Sequence, residues 1–378
     1  MKGNIRQRSK NSWQIQIYIG KGPDGTPKRH FETVRGTKGD AQRRRTELLA
    51  SLDKGIYVFP GKLTLADLLS QFLQGYVRTK CSQKTQDGYQ MIMERHLMPA
   101  LGHILLKQLT PPAIEAYYGE AGKKLSARTV HKHHRLLKQS LKYGVRQGYL
   151  GRNPCDLVDP PSWKGKPMRT LTPEESKTLL GVASTSRFYP VIYTAISSGL
   201  RQAELLGLRW RDINLNLRSI SVCQVLYKHR GICEFKEPKT EHSKRRVSMT
   251  AKLADYLGEY KGERESLSLH LGRLPKLDDL VFSNTEGDPL DPSVLSHSFA
   301  KIANQVGLKG VRFHDLRHTF ASLTFLCGGK PKVISEALGH ASVAFTMDTY
   351  SHIIEGMQSE AMALLDEVLP PGKTSFEK

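Results

Sequence analysis

The chain has 378 residues, 39% hydrophobic and 25% charged, enough for two or three domains that each bury a core. Its 57 Lys and Arg outweigh 36 Asp and Glu to give a net charge of +21, the balance of a protein that holds a polyanion. No apolar run approaches the ~18 residues a membrane span needs, no signal-peptide stretch opens the chain, and the five cysteines (Cys81, Cys155, Cys223, Cys233, Cys327) form no C-x-x-C pair. A membrane protein and a secreted disulfide scaffold are therefore disfavoured, and a reduced cytoplasmic protein is expected.

The positive charge is uneven. Residues 1–60 hold 13 basic and 5 acidic side chains, residues 61–160 hold 15 and 7, and the remaining 218 hold 29 and 24. Excesses of eight, eight and five place the main polyanion contacts in the first 160 residues, with nucleic acid as the expected partner.

The first element, SWQIQIYIG, alternates. Trp13, Ile15, Ile17 and Ile19 share one face and Gln14, Gln16 and Tyr18 the other, the pattern of a half-buried strand with a polar outer face. GPDGTP (22–27) supplies a turn and KRHFETV a partner strand. A helix over 39–55 follows, with Asp40 as its cap, Leu48, Leu49 and Leu52 covering the sheet, and Gly55 as its stop. Such a sheet leaves its outer face for the major groove of DNA. Residues 62–157 read as all-helical, with apolar residues at three- to four-residue spacing. The last of these helices, from SARTVHKHHRLLKQSLKYGVRQGYL, sets Val130, Leu136, Leu137, Leu141 and Val145 among Lys132, Arg135, Lys138, Lys142 and Arg146. It is built to lie against phosphates or, more blandly, to show a basic face to water.

LVDPPSWKGKPMR (157–169) reads as a linker. Thr172, Pro173 and Glu175 then form a capping box that starts a new domain. RFYPVIYTAISSGLRQAELLGLRW is helical with a break at Ser198-Gly199. RSISVCQVL, ICEFKE and RRVSMT are short strands, and helices follow. There is no internal repeat and no low-complexity tract.

The stretch HDLRH (314–318) admits two chemistries. His314 and His318 at i and i+4 can pinch a metal, a near miss of the H-E-x-x-H zinc signature with Asp315 in the glutamate's place and Glu336 as a third ligand. Alternatively His314 and Arg317, at i and i+3, face an anion together. Four further residues bear on the choice. Arg201 follows a Ser-Gly break in SSGLRQAEL with Glu204 one turn on, Lys239 lies in a turn of EPKTEHSKRRV, and His340 and Tyr350 stand ten apart in EALGHASVAFTMDTYSH. Cutting a phosphodiester without a metal asks for these residue types: fixed cations on the non-bridging oxygens, a nucleophile with a base, and an acid for the leaving oxygen.

In this order and at these spacings the sequence resembles the tyrosine recombinases, or phage-integrase family. The resemblance implies a multidomain, mainly α fold with small β-sheets. Its parts are an arm-type DNA-binding domain at 1–58 (a three-stranded sheet plus helix), a helical core-DNA-binding domain at 62–157, a linker at 158–169, and an α+β catalytic domain at 170–378 with a C-terminal oligomerisation helix. It also implies that Tyr350 is the nucleophile, forming a 3′-phosphotyrosyl link. Arg201 and Arg317 clamp the phosphate, His314 is the base, Lys239 the acid for the 5′-oxygen, and His340 a hydrogen-bond donor. Ser198 stands where the family commonly has threonine. The implied activity is site-specific integration and excision of a mobile element, by a homo-tetramer on double-stranded DNA with core and arm sites. An excisionase and a host DNA-bending protein would assist, no cofactor or metal is required, and the setting is the nucleoid of a bacterial cytoplasm. On this reading IIEGMQSEAMALLDEVL (353–369) docks on a neighbouring protomer and His318 merely caps or packs. A type IB topoisomerase-like relaxing enzyme shares the Arg/Lys/Arg/His/Tyr plan, but an arm-like N-terminal sheet gives it no advantage. The zinc hydrolase of His314 and His318 is the remote alternative.

Overall fold

The computed structural model describes residues 3–21, 27–53, 62–163, 168–238, 243–340 and 342–350. The chain divides into two compact units, Met1–Gly165 and Lys166–Lys378.

The first unit opens with an antiparallel sheet of β1 (Gly3–Ser9), β2 (Ser12–Lys21) and β3 (Pro27–Arg35) in that order. Ile15 pairs with Ile5 and with Glu32, and Gln16 with Phe31. Alternation works as expected from the sequence: Ile15 and Ile17 are fully buried, whereas Tyr18 on the opposite face is exposed. The helix Lys38–Asp53 lays Leu48 on those isoleucines, with Leu49 at the margin. Its cap differs from the expectation. Thr37 is the capping residue, its hydroxyl accepting from the Asp40 backbone N–H at 3.3 Å, and Asp40 returns the bond to the Thr37 backbone N–H at 2.9 Å. Asp40 is thus the third helical residue of a capping box and not the cap itself. Leu52 and Gly55 lie outside the residues whose packing is described.

Residues 64–158 bury a separate helical core. Two of the helices, Leu65–Lys80 and Gln83–Leu101, each contain one π turn, at Leu73–Val77 and Met93–Leu97. The helices Pro111–Gly122 and Ala127–Arg146 complete the bundle. On the last helix Val130, Leu136, Leu137 and Leu141 are buried, as their spacing predicts. His133 and His134 are buried beside them, which hydrophobic periodicity does not anticipate. Each ring nitrogen Nδ1 meets a phenol: His133 with Tyr117 at 2.8 Å and His134 with Tyr118 at 2.9 Å. These pairs give the Nδ1 atoms hydrogen-bond partners in an otherwise apolar interior. Arg128, Lys132, Arg135, Lys142 and Arg146 line the helix outside the buried stripe, while Lys138 pairs with Asp156 at 3.0 Å.

The second unit starts at the capping box expected at Thr172, Pro173 and Glu175, which opens the helix Pro173–Ala183. A small sheet orders β4 (Ile213–Asn214), β5 (Ser219–Ser221) and β8 (Arg246–Ser248). β6 (Val225–His229) and β7 (Ile232–Lys236) form a separate hairpin. Its two-residue loop, Arg230 and Gly231, has positive φ at both positions, as a tight hairpin turn requires. The core gathers from the helices Tyr189–Ser198, Ala251–His270 and Pro292–Gln305 and from the sheet. Among the described residues no helix is long and apolar enough to cross a membrane.

Candidate active site

Two left-handed turns organise the site. The helix Tyr189–Ser198 ends at Gly199 (φ 65°), and the helix Pro331–Leu338 ends at Gly339 (φ 62°). Glycine suits both, because a side chain at positive φ is strained. At Gly199 a Cβ would also lie 2.4 Å from Cδ1 of Phe320. Arg201 and His340 follow these turns closely, so backbone geometry aims both side chains.

Glu204 ties the first turn to the strands. Its carboxylate accepts from the Arg201 backbone N–H and from Arg201 Nη1, each at 2.8 Å. It also accepts both terminal nitrogens of Arg245, at 2.9 and 2.8 Å. The side chains of Glu204 and Arg245 are 3% and 7% exposed. Burial alone would raise the Glu204 pKa, but Arg245 and then Arg201 hold it below the ordinary carboxylate value. Arg245 Nε donates to the Ala337 carbonyl at 2.6 Å and Arg201 Nη2 to the Gly339 carbonyl at 3.2 Å, which binds this web to the second turn.

Arg317 spans the two turns. It is buried, donating from Nη1 to the Gly199 carbonyl at 2.8 Å and from Nη2 to the Leu338 carbonyl. Burial and the neighbouring Arg201 lower its pKa to about 9, so it remains a cation at neutral pH. Three guanidinium groups around a single carboxylate leave a concentrated positive field, suited to an oxygen anion. Arg201 is the member of the web that reaches the surface, with 36% of its side chain exposed.

His314 occupies the N-cap position of the helix Asp315–Leu326 without a side-chain cap bond and stands at the surface. Loss of water around its ring, and then Arg317, lower its pKa, which keeps it neutral at pH 7. His340 Nδ1 lies 2.8 Å from the hydroxyl of the buried Thr346. Burial, then Arg317 and Arg201, bring its pKa to about 4. Tyr350 is 1% exposed, set among Ala321, Phe325, Ile334 and Leu338. Burial raises its pKa to about 12 against the opposing pull of Arg317.

The structure therefore brings Arg201, His314, Arg317, His340 and Tyr350 into one neighbourhood, and Lys239 lies outside the described residues. His318, expected only to cap or pack, instead has Nδ1 at 2.9 Å from the Tyr350 hydroxyl. Arg245 and Thr346 went unrecognised in the sequence. Arg245 sits in the run Lys244-Arg245-Arg246, where nothing tells which side chain points inward. The metal reading loses its parts to other partners: Asp315 is buried and bonded to Arg312 at 2.7 Å, and His318 is bonded to Tyr350. Among the described residues no group of three or more His, Cys, Asp or Glu is placed to hold a metal ion.

Comparison with known proteins agrees with this geometry. The profile of the phage integrase family matches residues 169–356, and that of the phage integrase N-terminal SAM-like domain matches residues 64–120. A tyrosine recombinase XerC-like protein of Caldanaerobacter subterraneus subsp. tengcongensis is 28% identical, covering 97% of this chain and 99% of its own. The ICEBs1 integrase of Bacillus subtilis is 32% identical over 65% of this chain and 67% of its own. Among solved structures, the Tn1549 transposon integrase in complex with a circular intermediate DNA superposes with a TM-score of 0.69 at 21% identity, covering 80% of this chain and 99% of that one. The lambda integrase dimer bound to a core site gives a TM-score of 0.58 at 17% identity, over 92% and 94% of the two chains. The chain belongs to the phage integrase family. It is a tyrosine site-specific recombinase, an integrase of mobile DNA. These relatives are integrases and recombinases, which favours this reading over a relaxing enzyme or a zinc hydrolase.

Proposed function

We propose that Tyr350 is the nucleophile of this integrase and that double-stranded DNA is its substrate. Tyr350 Oη attacks the scissile phosphorus, the bond from phosphorus to the 5′-oxygen breaks, and a 3′-phosphotyrosyl link conserves the phosphodiester for religation. Arg201 and Arg317 stabilise charge on the non-bridging oxygens, which grows in the pentacovalent transition state. His314, neutral at pH 7, accepts a proton in the reaction, and His340 donates a hydrogen bond to the phosphate. Lys239 protonates the leaving 5′-oxygen. The observation that carries this assignment is the convergence of Arg201 and Arg317 on the turns Gly199 and Gly339, with His340 and Tyr350 alongside.

Residues 1–58 form an arm-type DNA-binding domain and 62–157 a core-DNA-binding domain, joined by a linker at 158–169 to the catalytic domain at 170–378. The sheet with one face covered and the basic residues of Ala127–Arg146 support this division. The working assembly is a homo-tetramer on DNA, aided by an excisionase and a host DNA-bending protein, in the bacterial cytoplasm. The C-terminal segment 353–369, proposed to dock on a neighbouring protomer, lies outside the described residues.

A nicked duplex spanning the joined ends of the parent element tests the chemistry. After incubation and denaturation, a covalent protein–DNA adduct is expected with the natural chain, unaffected by EDTA. Tyr350→Phe should bind the duplex and form no adduct. An adduct that survives this substitution refutes the assignment.

A further inference from the structure

The nucleophile proposed for this reaction is not poised for attack. Its ring is 1% exposed and lies against Phe325, with centroids 5.8 Å apart, inside a pocket closed by Ala321, Ile334 and Leu338. In-line displacement needs the attacking oxygen about 3–3.5 Å from phosphorus, and a duplex backbone cannot reach a hydroxyl so enclosed. An apolar pocket is also a poor place for a phenol unless its hydroxyl is hydrogen-bonded. Here the partner is His318 Nδ1, at 2.9 Å.

We propose that His318 is a positioning residue for the reaction: its Nδ1 accepts the hydrogen bond of the Tyr350 hydroxyl and docks the side chain inside the catalytic unit, and Tyr350 reaches a phosphate only once that bond breaks. This rests on the reading of Tyr350 as nucleophile. The two histidines of HDLRH then divide their work by depth. His314 stands at the surface at the helix start, where substrate arrives, and His318, one turn further along, faces the pocket. Their rings are perpendicular, 5.2 Å apart. The acceptor role also fixes the tautomer: with Nδ1 free to accept, the proton of the neutral ring sits on Nε2. The protonation states agree, since burial lowers the His318 pKa to about 4 and raises that of Tyr350 to about 12, leaving a neutral imidazole and an intact phenol.

Nitration of the full-length protein by tetranitromethane, without DNA, reads the docking directly, with Tyr350 quantified by peptide mass spectrometry. The natural chain should be protected. His318→Leu should raise the Tyr350 nitration rate roughly tenfold, the weight of one buried hydrogen bond. His318→Asn, whose amide oxygen can fall near the position of Nδ1, should restore protection. An unchanged rate in His318→Leu overturns the proposal. So does an equal rise in both variants, which would report altered packing instead of a missing acceptor. Unchanged thermal melting and unchanged nitration of Tyr193 and Tyr256 establish that the variants remain folded. The adduct assay on the nicked duplex separates the two claims. If Tyr350→Phe still forms an adduct while the nitration results hold, the nucleophile reading fails and the docking bond stands.

Discussion

Glu204 is a single carboxylate serving two arginines, and its burial makes the arrangement brittle. Removing one partner of a buried ion pair leaves the other charge uncompensated, at about 3–5 kcal/mol. Arg245→Ala should therefore destabilise the catalytic unit in urea by an amount in that range and abolish adduct formation through misplacement of Arg201. A change near zero in equilibrium unfolding would show that Arg245 is dispensable. The buried histidines make a second prediction. His133, His318 and His340 have pKa values of about 4 in the folded chain, below the 6.5 of the free side chain. Between those values the unfolded chain binds more protons, so the stabilisation is fully present above about pH 6.5 and is lost as pH falls toward 4. For the fully buried His133 the loss is on the order of 3 kcal/mol. Urea titrations at stepped pH should find falling midpoints over this window, and His133→Phe should flatten the part that belongs to the helical unit.

At the scale of elements, the two glycine turns matter more than the helices they end. Gly199→Ala forces a side chain to positive φ and drives a methyl group into Phe320. The strain costs about 1–3 kcal/mol before the clash is counted. The variant should melt lower and lose adduct formation by far more than its stability loss explains, because Arg201 and the carbonyl that receives Arg317 both shift. An adduct yield that merely tracks the folded fraction would contradict this. The same elements mark how far the sequence was legible. Ser198-Gly199 announces a helix end, the capping box at Thr172 announces a start, and the alternation of Ile15 and Ile17 announces a strand, since each rests on local backbone chemistry. The partners of those elements are non-local. Glu204 meets Arg245 across 41 positions, and His318 meets Tyr350 across 32. No periodicity reports such pairings, and the buried His133 and His134 break the apolar pattern while fitting the core through their tyrosines. The cap at Thr37 is hidden for a smaller reason: Asp40 and Thr37 share one reciprocal pair of bonds, and composition does not say which stands outside the helix.

For the whole molecule, the proposed division between holding DNA and cutting it follows the distribution of charge. The first 160 residues carry an excess of 16 basic side chains (eight in residues 1–60 and eight in 61–160), against five for the rest. Neutralising Lys132, Arg135 and Lys142 together should weaken binding to any duplex and reduce the salt dependence of affinity. The slope of log K against log salt should become shallower by about 0.9 for each phosphate that the helix no longer neutralises. An unaltered slope in fluorescence anisotropy titrations would show that this helix face meets only water. The docked phenol has its consequence at this scale too. A chromosome offers on the order of 10⁶–10⁹ stretches of duplex to which a basic protein sticks without preference. An integrase with an exposed nucleophile would risk a nick at each of them. Tyr350 is enclosed and its hydroxyl engaged; on the proposed reading of Tyr350 as nucleophile, mere occupancy of DNA would carry no chemical hazard, and fidelity would be kept by withholding the reacting atom as well as by reading the site.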